Sequence, residues 1–426
     1  MDNHGKNMCY NICGCEKMNE LEIVSLDHQG RGIGKLEGKT IFVENALPNE
    51  IINVDIITSK KNFCEAIVNK YIQKSTERIE PLCPYFAMCG GCDLLHIPYT
   101  KQLEYKQSKI ENIMLRFCKE EFPIRTIISS EDFFYRNKAT YHIKDGIGFY
   151  KQRSNELIQI DICYLVDKKI DDVFKIIKEK GNLKNVESLV IRASYYTEDI
   201  MVVINANGYI DEREWINILK DKVSTIIVNN KNNFKTIYGT GYMVEKLFDY
   251  SFIISNDAFF QVNTKQAENL YEKVLEYADI NNTETVLDLY CGTGTIGILA
   301  SRYAKKVIGI EINEEAVKSA NKNKELNSID NIEFYAGDTG KILSKHKYKV
   351  DTVIVDPPRA GLNKEAIDEI LMIVPKKIVY VSCDPMTLAR DLNLLSQNYD
   401  IKELTPVDMF PNTAHVECVV QLLVKS

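Results

Sequence analysis

The chain has 426 residues, of which 45% are hydrophobic and 27% charged, and its net charge is −7. That length is too great for one ordinary core and calls for two or three domains. The acidic balance argues against a protein coated uniformly in nucleic acid, although it leaves room for a local basic groove. No apolar run reaches bilayer-spanning length, and the N-terminal MDNHGKNMCYNICGCEKMNE is too polar for a signal peptide. The expectation is therefore a cytoplasmic protein that makes no use of a membrane. Twelve cysteines are too many to be idle in a reducing compartment, where a disulfide framework is not expected. Some should be metal ligands or catalytic thiols.

Residues 1–19 read as a flexible tail, and its Cys9, Cys13 and Cys15 as part of a frayed terminus. Residues 20–75 read as a small β-barrel of five strands, because short apolar runs (Ile41–Val43, Ile51–Ile57, Ala66–Val68) alternate with Gly-rich and Pro-Asn turns. Gly30, Gly32, Gly34 and Gly38, with Arg31, Lys35 and Lys39 between them, suggest one flexible basic loop. Such barrels use a basic face for single-stranded nucleic acid, although lysines facing water read equally as a generic module. Residues 76–255 follow as a cysteine-rich turn, a helix at about 99–118 that could pack on the last domain, and a strand-rich section.

From 256 to 426 the rhythm is strand, helix, strand, helix. TVLDLYCGTGTIG gives a strand (Thr285–Tyr290) followed by Gly292, Gly294 and Gly297 in G-x-G-x-x-G spacing. Glycines there allow a tight turn and close approach of backbone to a ligand at a helix N-terminus. Glu311 ends the second strand, where a carboxylate suits ribose hydroxyls. The motif alone suits a nicotinamide dehydrogenase equally well. Asp338 ends a third strand, Asp-Pro-Pro-Arg from Asp356 a fourth, and Ser-Cys-Asp-Pro around Cys383 a fifth. The last two strands read as an antiparallel hairpin. Seven strands closed in that way resemble the Rossmann-like S-adenosylmethionine-dependent methyltransferase fold rather than a dehydrogenase.

The motifs FFQVN (259–263), DLYCGTGTIG (288–297), DPPRAG (356–361), YVSCDP (380–385) and HVECV (415–419) resemble, in order, those of the RNA 5-methyluridine methyltransferases. The resemblance extends to the barrel, which looks like a TRAM domain, and to the cysteine cluster. It implies a thiolate at Cys383 that adds to carbon 6 of uracil and makes carbon 5 nucleophilic. It implies Glu417 as the base that removes the carbon-5 proton. By the same match Gln261, Tyr290, Glu311 and Asp356 contact S-adenosylmethionine, with Asp338 a further contact. A target uridine must leave its stack, which points to structured RNA with a flippable base. The local field is expected to favour the Cys383 thiolate. The bland readings are a packed Cys383 and a solvated Glu417; Cys291 and Cys418 read as packing residues, Cys64 and Cys118 as core, and His415 as structural.

The spacing Cys83-x5-Cys89-x2-Cys92 supplies three thiols, and Cys163 matches the family's fourth ligand, with Tyr164 after it where the family has proline. Four thiolates suit zinc or a [4Fe–4S] cluster, and the resemblance points to iron–sulfur. The spacing is not C-x3-C-x2-C, so a radical mechanism is not indicated. A barrel plus cluster resembles the 23S ribosomal RNA enzymes, with a transfer-RNA enzyme as the alternative. The competing classes are an amino-methyltransferase, which needs no thiol, and a non-catalytic RNA-binding assembly factor. A monomer without an obligate protein partner is the default.

Overall fold

The computed structural model describes residues 20–338, 342 and 349–425; Cys9, Cys13, Cys15 and the expected tail lie outside the described residues. The chain divides into two compact units, one ending at Arg78 and the other running Ile79–Ser426. In the first, β1 (Glu20–Leu26), β2 (Gly32–Leu36), β3 (Lys39–Val43), β4 (Ile51–Ser59) and β5 (Phe63–Gln73) close a barrel in the order β1-β2-β3-β5-β4. Period-two alternation turns Leu21, Ile23, Ile41, Val43, Ile52 and Val54 into its core.

The glycine-rich stretch is not the flexible basic loop expected of it. Gly32 and Gly34 lie within β2, and Lys39 opens β3. They are glycines because the barrel wall is crowded: a Cβ on Gly34 would lie 2.6 Å from the Glu22 carbonyl oxygen. Arg31 is buried, and its guanidinium pairs with Asp27 at 2.8 Å and Glu65 at 3.0 Å. Its charge is neutralised inside the unit rather than offered to a ligand.

The second unit opens with the cysteine-rich turn and α1 (Tyr99–Phe117). Next come β6 (Lys138–Ile143), β7 (Ile147–Tyr150), β8 (Leu157–Gln159), α2 (Lys168–Lys180), β9 (Val186–Ala193), β10 (Ile200–Ala206), α3 (Glu212–Leu219), β11 (Thr225–Asn230) and β12 (Asn233–Tyr238). Their strands form a seven-stranded sheet in the order β12-β11-β10-β9-β6-β7-β8. A hairpin, β13 (Tyr242–Leu247) and β14 (Tyr250–Ser255), leads to the last sheet.

That sheet alternates with helices: α4 (Thr264–Ala278), β15 (Thr285–Leu289), α5 (Thr295–Ser301), β16 (Lys306–Glu311), α6 (Glu314–Leu326), β17 (Ile332–Ala336), β18 (Thr352–Val355), α7 (Lys364–Ile373), β19 (Lys377–Ser382), α8 (Pro385–Leu395), β20 (Tyr399–Val407) and β21 (Glu417–Val424). The order is β17-β16-β15-β18-β19-β21-β20, parallel except for β21, which runs antiparallel to both its neighbours. Short parallel strands such as TVIV and KIVYVS are buried along almost their whole length and mostly apolar because helices cover both faces.

The two sheets of this unit share a core across the expected boundary at 255. Met201, Val203 and Ile227 of the middle sheet pack in one cluster with Phe252, Leu270 and Val274. Helix α1 packs on α8, and its Ile110, Ile113 and Met114 join Leu392 of that helix and Leu287 and Tyr380 of the last sheet. Among the described residues no helix is long and apolar enough to cross a membrane.

Candidate active site

The crevice lies beyond the carboxyl ends of the parallel strands, where helix N-termini and loops converge. Tyr290 to Gly294 follow β15, Glu311 ends β16, Asp338 lies two residues past β17, Asp356 follows β18 and Cys383 follows β19. Because β21 is antiparallel, its first residue, Glu417, lies at the same edge. Ser382 pairs with Cys418, so the next step of the register sets Cys383 against Glu417. Asp384 then caps α8, its carboxylate accepting from Met386 N–H at 2.9 Å and Thr387 N–H at 3.0 Å. The thiol is therefore held at a fixed strand-to-helix corner.

The electrostatics correct one expectation. Burial, and then the carboxylates of Glu417 and Asp356, push the Cys383 thiol up to about 11, against the pull of Arg359. In the ligand-free protein the field disfavours the thiolate. Glu417 is only 5% exposed; burial and Asp356 raise it to about 8, with Arg359 opposing. Burial raises Asp356 to about 7. Asp288, 1% exposed, is raised to about 8 by burial although its Oδ2 accepts from Gly297 N–H at 2.8 Å. Of these raised carboxyls, Glu417 and Asp356 act on the Cys383 thiol.

Gln261 is buried on the turn before α4, which Asn263 caps. Its carbonyl accepts from Asn137 Nδ2 at 2.9 Å, and its side chain hydrogen-bonds Tyr271, a phenol within electrostatic reach of Asp356 and Glu417. Glu311 binds the glycine loop directly, accepting from Gly292 N–H at 3.2 Å, and from Asn313 N–H at 2.9 Å. Gly294 has φ of 83°, and a Cβ there would lie 2.5 Å from the Phe334 ring. The charge of Asp338 reaches Tyr290. Tyr290, Glu311, Asp338 and Asp356 thus stand at the carboxyl edge of the last sheet, and Gln261 is linked to that edge through Tyr271. Cys291 and Cys418 are buried, as is Cys64; Cys118 is partly exposed at the end of α1. His415 has its imidazole pushed down to about 4 by desolvation and by Arg359, Lys109, Lys106 and Arg136, so it is neutral at pH 7.

Sequence reasoning passed over three features. Arg359, in Asp-Pro-Pro-Arg, is the cation acting on both Cys383 and Glu417. Tyr290 adopts left-handed backbone, φ 62°, an uncommon state for an aromatic residue and one that gathers at ligand sites. Ile312 is 75% exposed beside Glu311, and Phe259 is 71% exposed two residues before Gln261. The runs EIN and FFQ carried both apolar residues in plain view.

The thiols of Cys83, Cys89, Cys92 and Cys163 are brought together. Burial raises each of them, and Cys92 feels the charge of the other three. Cys89 bridges to Lys151 of the middle sheet, and Cys163 lies on the turn before α2. Among the described residues no group of three or more His, Cys, Asp or Glu is gathered tightly enough for a single metal ion. Arg136, whose charge reaches Cys89, has a buried Nε without a hydrogen-bond partner among the described residues. An anionic group between the thiols would give that cation its counter-charge.

The last sheet and its crevice define an S-adenosylmethionine-dependent methyltransferase fold. Residues 98–425 match the family model described as tRNA (uracil-5-)-methyltransferase, and residues 19–68 match the TRAM domain. An "uncharacterized RNA methyltransferase" of Clostridium tetani is 37% identical, with 94% of this chain and 95% of that protein covered. One of Oceanobacillus iheyensis is 35% identical, over 95% and 96%. The crystal structure of Pyrococcus abyssi tRNA (uracil-54, C5)-methyltransferase with S-adenosyl-L-homocysteine matches with a TM-score of 0.78 and 31% identity, covering 96% of this chain and 100% of that one. The chain belongs to the tRNA (uracil-5-)-methyltransferase family and carries an N-terminal TRAM domain.

Proposed function

We propose that this protein methylates carbon 5 of a uridine in structured RNA. The observation that carries the reading is the register that sets Cys383 against Glu417 at the mouth of the crevice. Cys383 sulfur bonds to carbon 6 of the flipped uracil, and the carbon 5–carbon 6 π pair moves onto carbon 5 and the neighbouring carbon-4 carbonyl oxygen. S-adenosylmethionine supplies the methyl group that carbon 5 accepts. Glu417, ionised, then removes the carbon-5 proton; the carbon 6–sulfur bond breaks and the thiolate is restored. The carboxyl group of neighbours takes up the initial thiol proton, and Arg359 steadies the anionic states beside it. Gln261, Tyr290, Glu311, Asp356 and Asp338 hold the methyl donor, whose positive sulfonium offsets the carboxylate charge that raises the thiol.

Cys83, Cys89, Cys92 and Cys163 hold a [4Fe–4S] cluster as a structural staple, since no step of this chemistry requires an electron. The barrel and cluster layout points to 23S ribosomal RNA. A second reading, transfer RNA, is favoured by the Pyrococcus abyssi enzyme, which this chain matches over its whole length, barrel included. The protein acts in the cytoplasm, where these RNAs are made.

The test uses 23S ribosomal RNA and transfer RNA transcribed with 5-fluorouridine. Fluorine cannot leave as a cation, so a denaturation-resistant protein–RNA adduct accumulates on the true substrate and maps to Cys383. Cys383→Ser forms none. An RNA that is methylated by the wild type but never trapped removes the thiolate mechanism.

A further inference from the structure

The connection between β20 and β21, residues 408–416, delivers Glu417 to the crevice, and it is held from outside its own sheet. Asp93 and Leu94 donate their backbone N–H groups to the Asn412 carbonyl at 2.9 and 3.0 Å. The Asp93 carboxylate accepts from Ala414 N–H at 3.0 Å, three residues before Glu417. Gln102 of α1, buried, accepts from Asn412 N–H at 2.8 Å and donates to its side-chain oxygen at 2.9 Å. Asn412 is buried and left-handed, φ 65°, a state the loop alone does not favour. Tyr135 donates to the Pro411 carbonyl at 2.9 Å, and Lys109 to the Ala414 carbonyl at 2.7 Å.

Asp93 directly follows Cys92, and Tyr135 directly precedes Arg136, so both sides of this clamp are rooted in the four-thiol site. We infer that Asp93 is a positioning residue for Glu417: it fixes the Ala414 backbone so that the carboxylate reaches carbon 5 after methyl transfer, and the cysteine site serves catalysis through it. The inference rests on the reading of Glu417 as the base. It assigns the four thiols a mechanical part in one step only, the elimination.

The experiment compares wild type, Asp93→Ala, Asp93→Asn and Glu417→Gln on a methylatable RNA with S-adenosylmethionine. It measures the first-turnover burst of S-adenosylhomocysteine, steady-state turnover and denaturation-resistant methylated adduct. Asp93→Ala should keep its burst within about twofold, lose about 10- to 100-fold in turnover, and accumulate adduct as Glu417→Gln does. Asp93→Asn, which keeps an oxygen for the Ala414 N–H, should restore turnover. The intact burst shows that Asp93→Ala has folded. If Asp93→Ala turns over at the wild-type rate, or loses burst and turnover together without adduct, the positioning role is overturned. If Glu417→Gln itself builds no adduct, the assignment of the base falls, and the inference with it.

Discussion

Cys383 and Glu417 stand one step beyond the Ser382–Cys418 pair of β19 and β21, and Glu417 is the first charge acting on the thiol after burial. The arrangement keeps the Cys383 thiol protonated in the ligand-free protein; in the proposed mechanism its activation depends on what enters the crevice.

The buried carboxyls have a consequence for stability. Asp288 and Glu417 at about 8 and Asp356 at about 7 hold protons in the folded state that the unfolded chain, with carboxyls near 4, has lost. The folded state binds more protons between those limits, so their contribution to stability falls as pH rises from about 4 through about 8. Asp288→Asn removes one such group while keeping an oxygen for Gly297 N–H. Melting temperatures of the ligand-free protein should therefore show the variant gaining on wild type by a few degrees from about pH 5.5 to 8.5. A difference that is constant or shrinks with pH contradicts the assignment.

Lys106 and Asp408 form a fully buried ion pair, 2.5 Å apart, joining α1 to the segment after β20. Lys106→Met strands the carboxylate and should cost about 3–5 kcal/mol. The double variant Lys106→Met/Asp408→Leu should recover most of that loss in thermal unfolding. Equal damage in single and double variants would mean that packing, not charge, governs the site.

Gly294→Ala places a side chain at φ 83° and against Phe334. The glycine loop must then move, and S-adenosylhomocysteine should bind roughly tenfold more weakly by calorimetry, a change of about 1.4 kcal/mol. Unchanged affinity would mean the donor does not lie on this loop.

Protein purified without oxygen should carry iron and acid-labile sulfide, and Cys163→Ser should lower both. Removal of the cluster by an iron chelator should diminish the secondary-structure signal on heating before it affects donor binding. One zinc per chain and no sulfide would replace the cluster with a mononuclear site.

What could be read from the sequence follows the range of the forces involved. The glycine loop, Glu311 and the run of apolar strands are local matters of backbone conformation and burial, and they stand where they were expected. Cys383 and Glu417 lie 34 positions apart, and their meeting was readable only through motif resemblance, because strand order is not written in either segment. Gly32 and Gly34 were misread because the atoms that require them, Glu22 and Ala46, belong to other elements. The environment of Cys383 was misjudged for the same reason: burial first, and then Glu417 and Asp356 from separate parts of the chain, raise the thiol. The joining of the two sheets beyond Arg78 rests on Met201, Val203 and Ile227 meeting Leu270 and Val274, residues more than 40 positions further along the chain.

The position of β21 has a bearing on how the molecule comes into being. It is made after β20 yet lies inside it, wedged between β19 and β20. During vectorial synthesis β19, with Cys383 at its end, and β20 are made before the strand that separates them. Insertion of that strand completes the sheet and brings Glu417 to the edge that carries Cys383 in a single event, so the proposed chemistry would be open only to the finished fold.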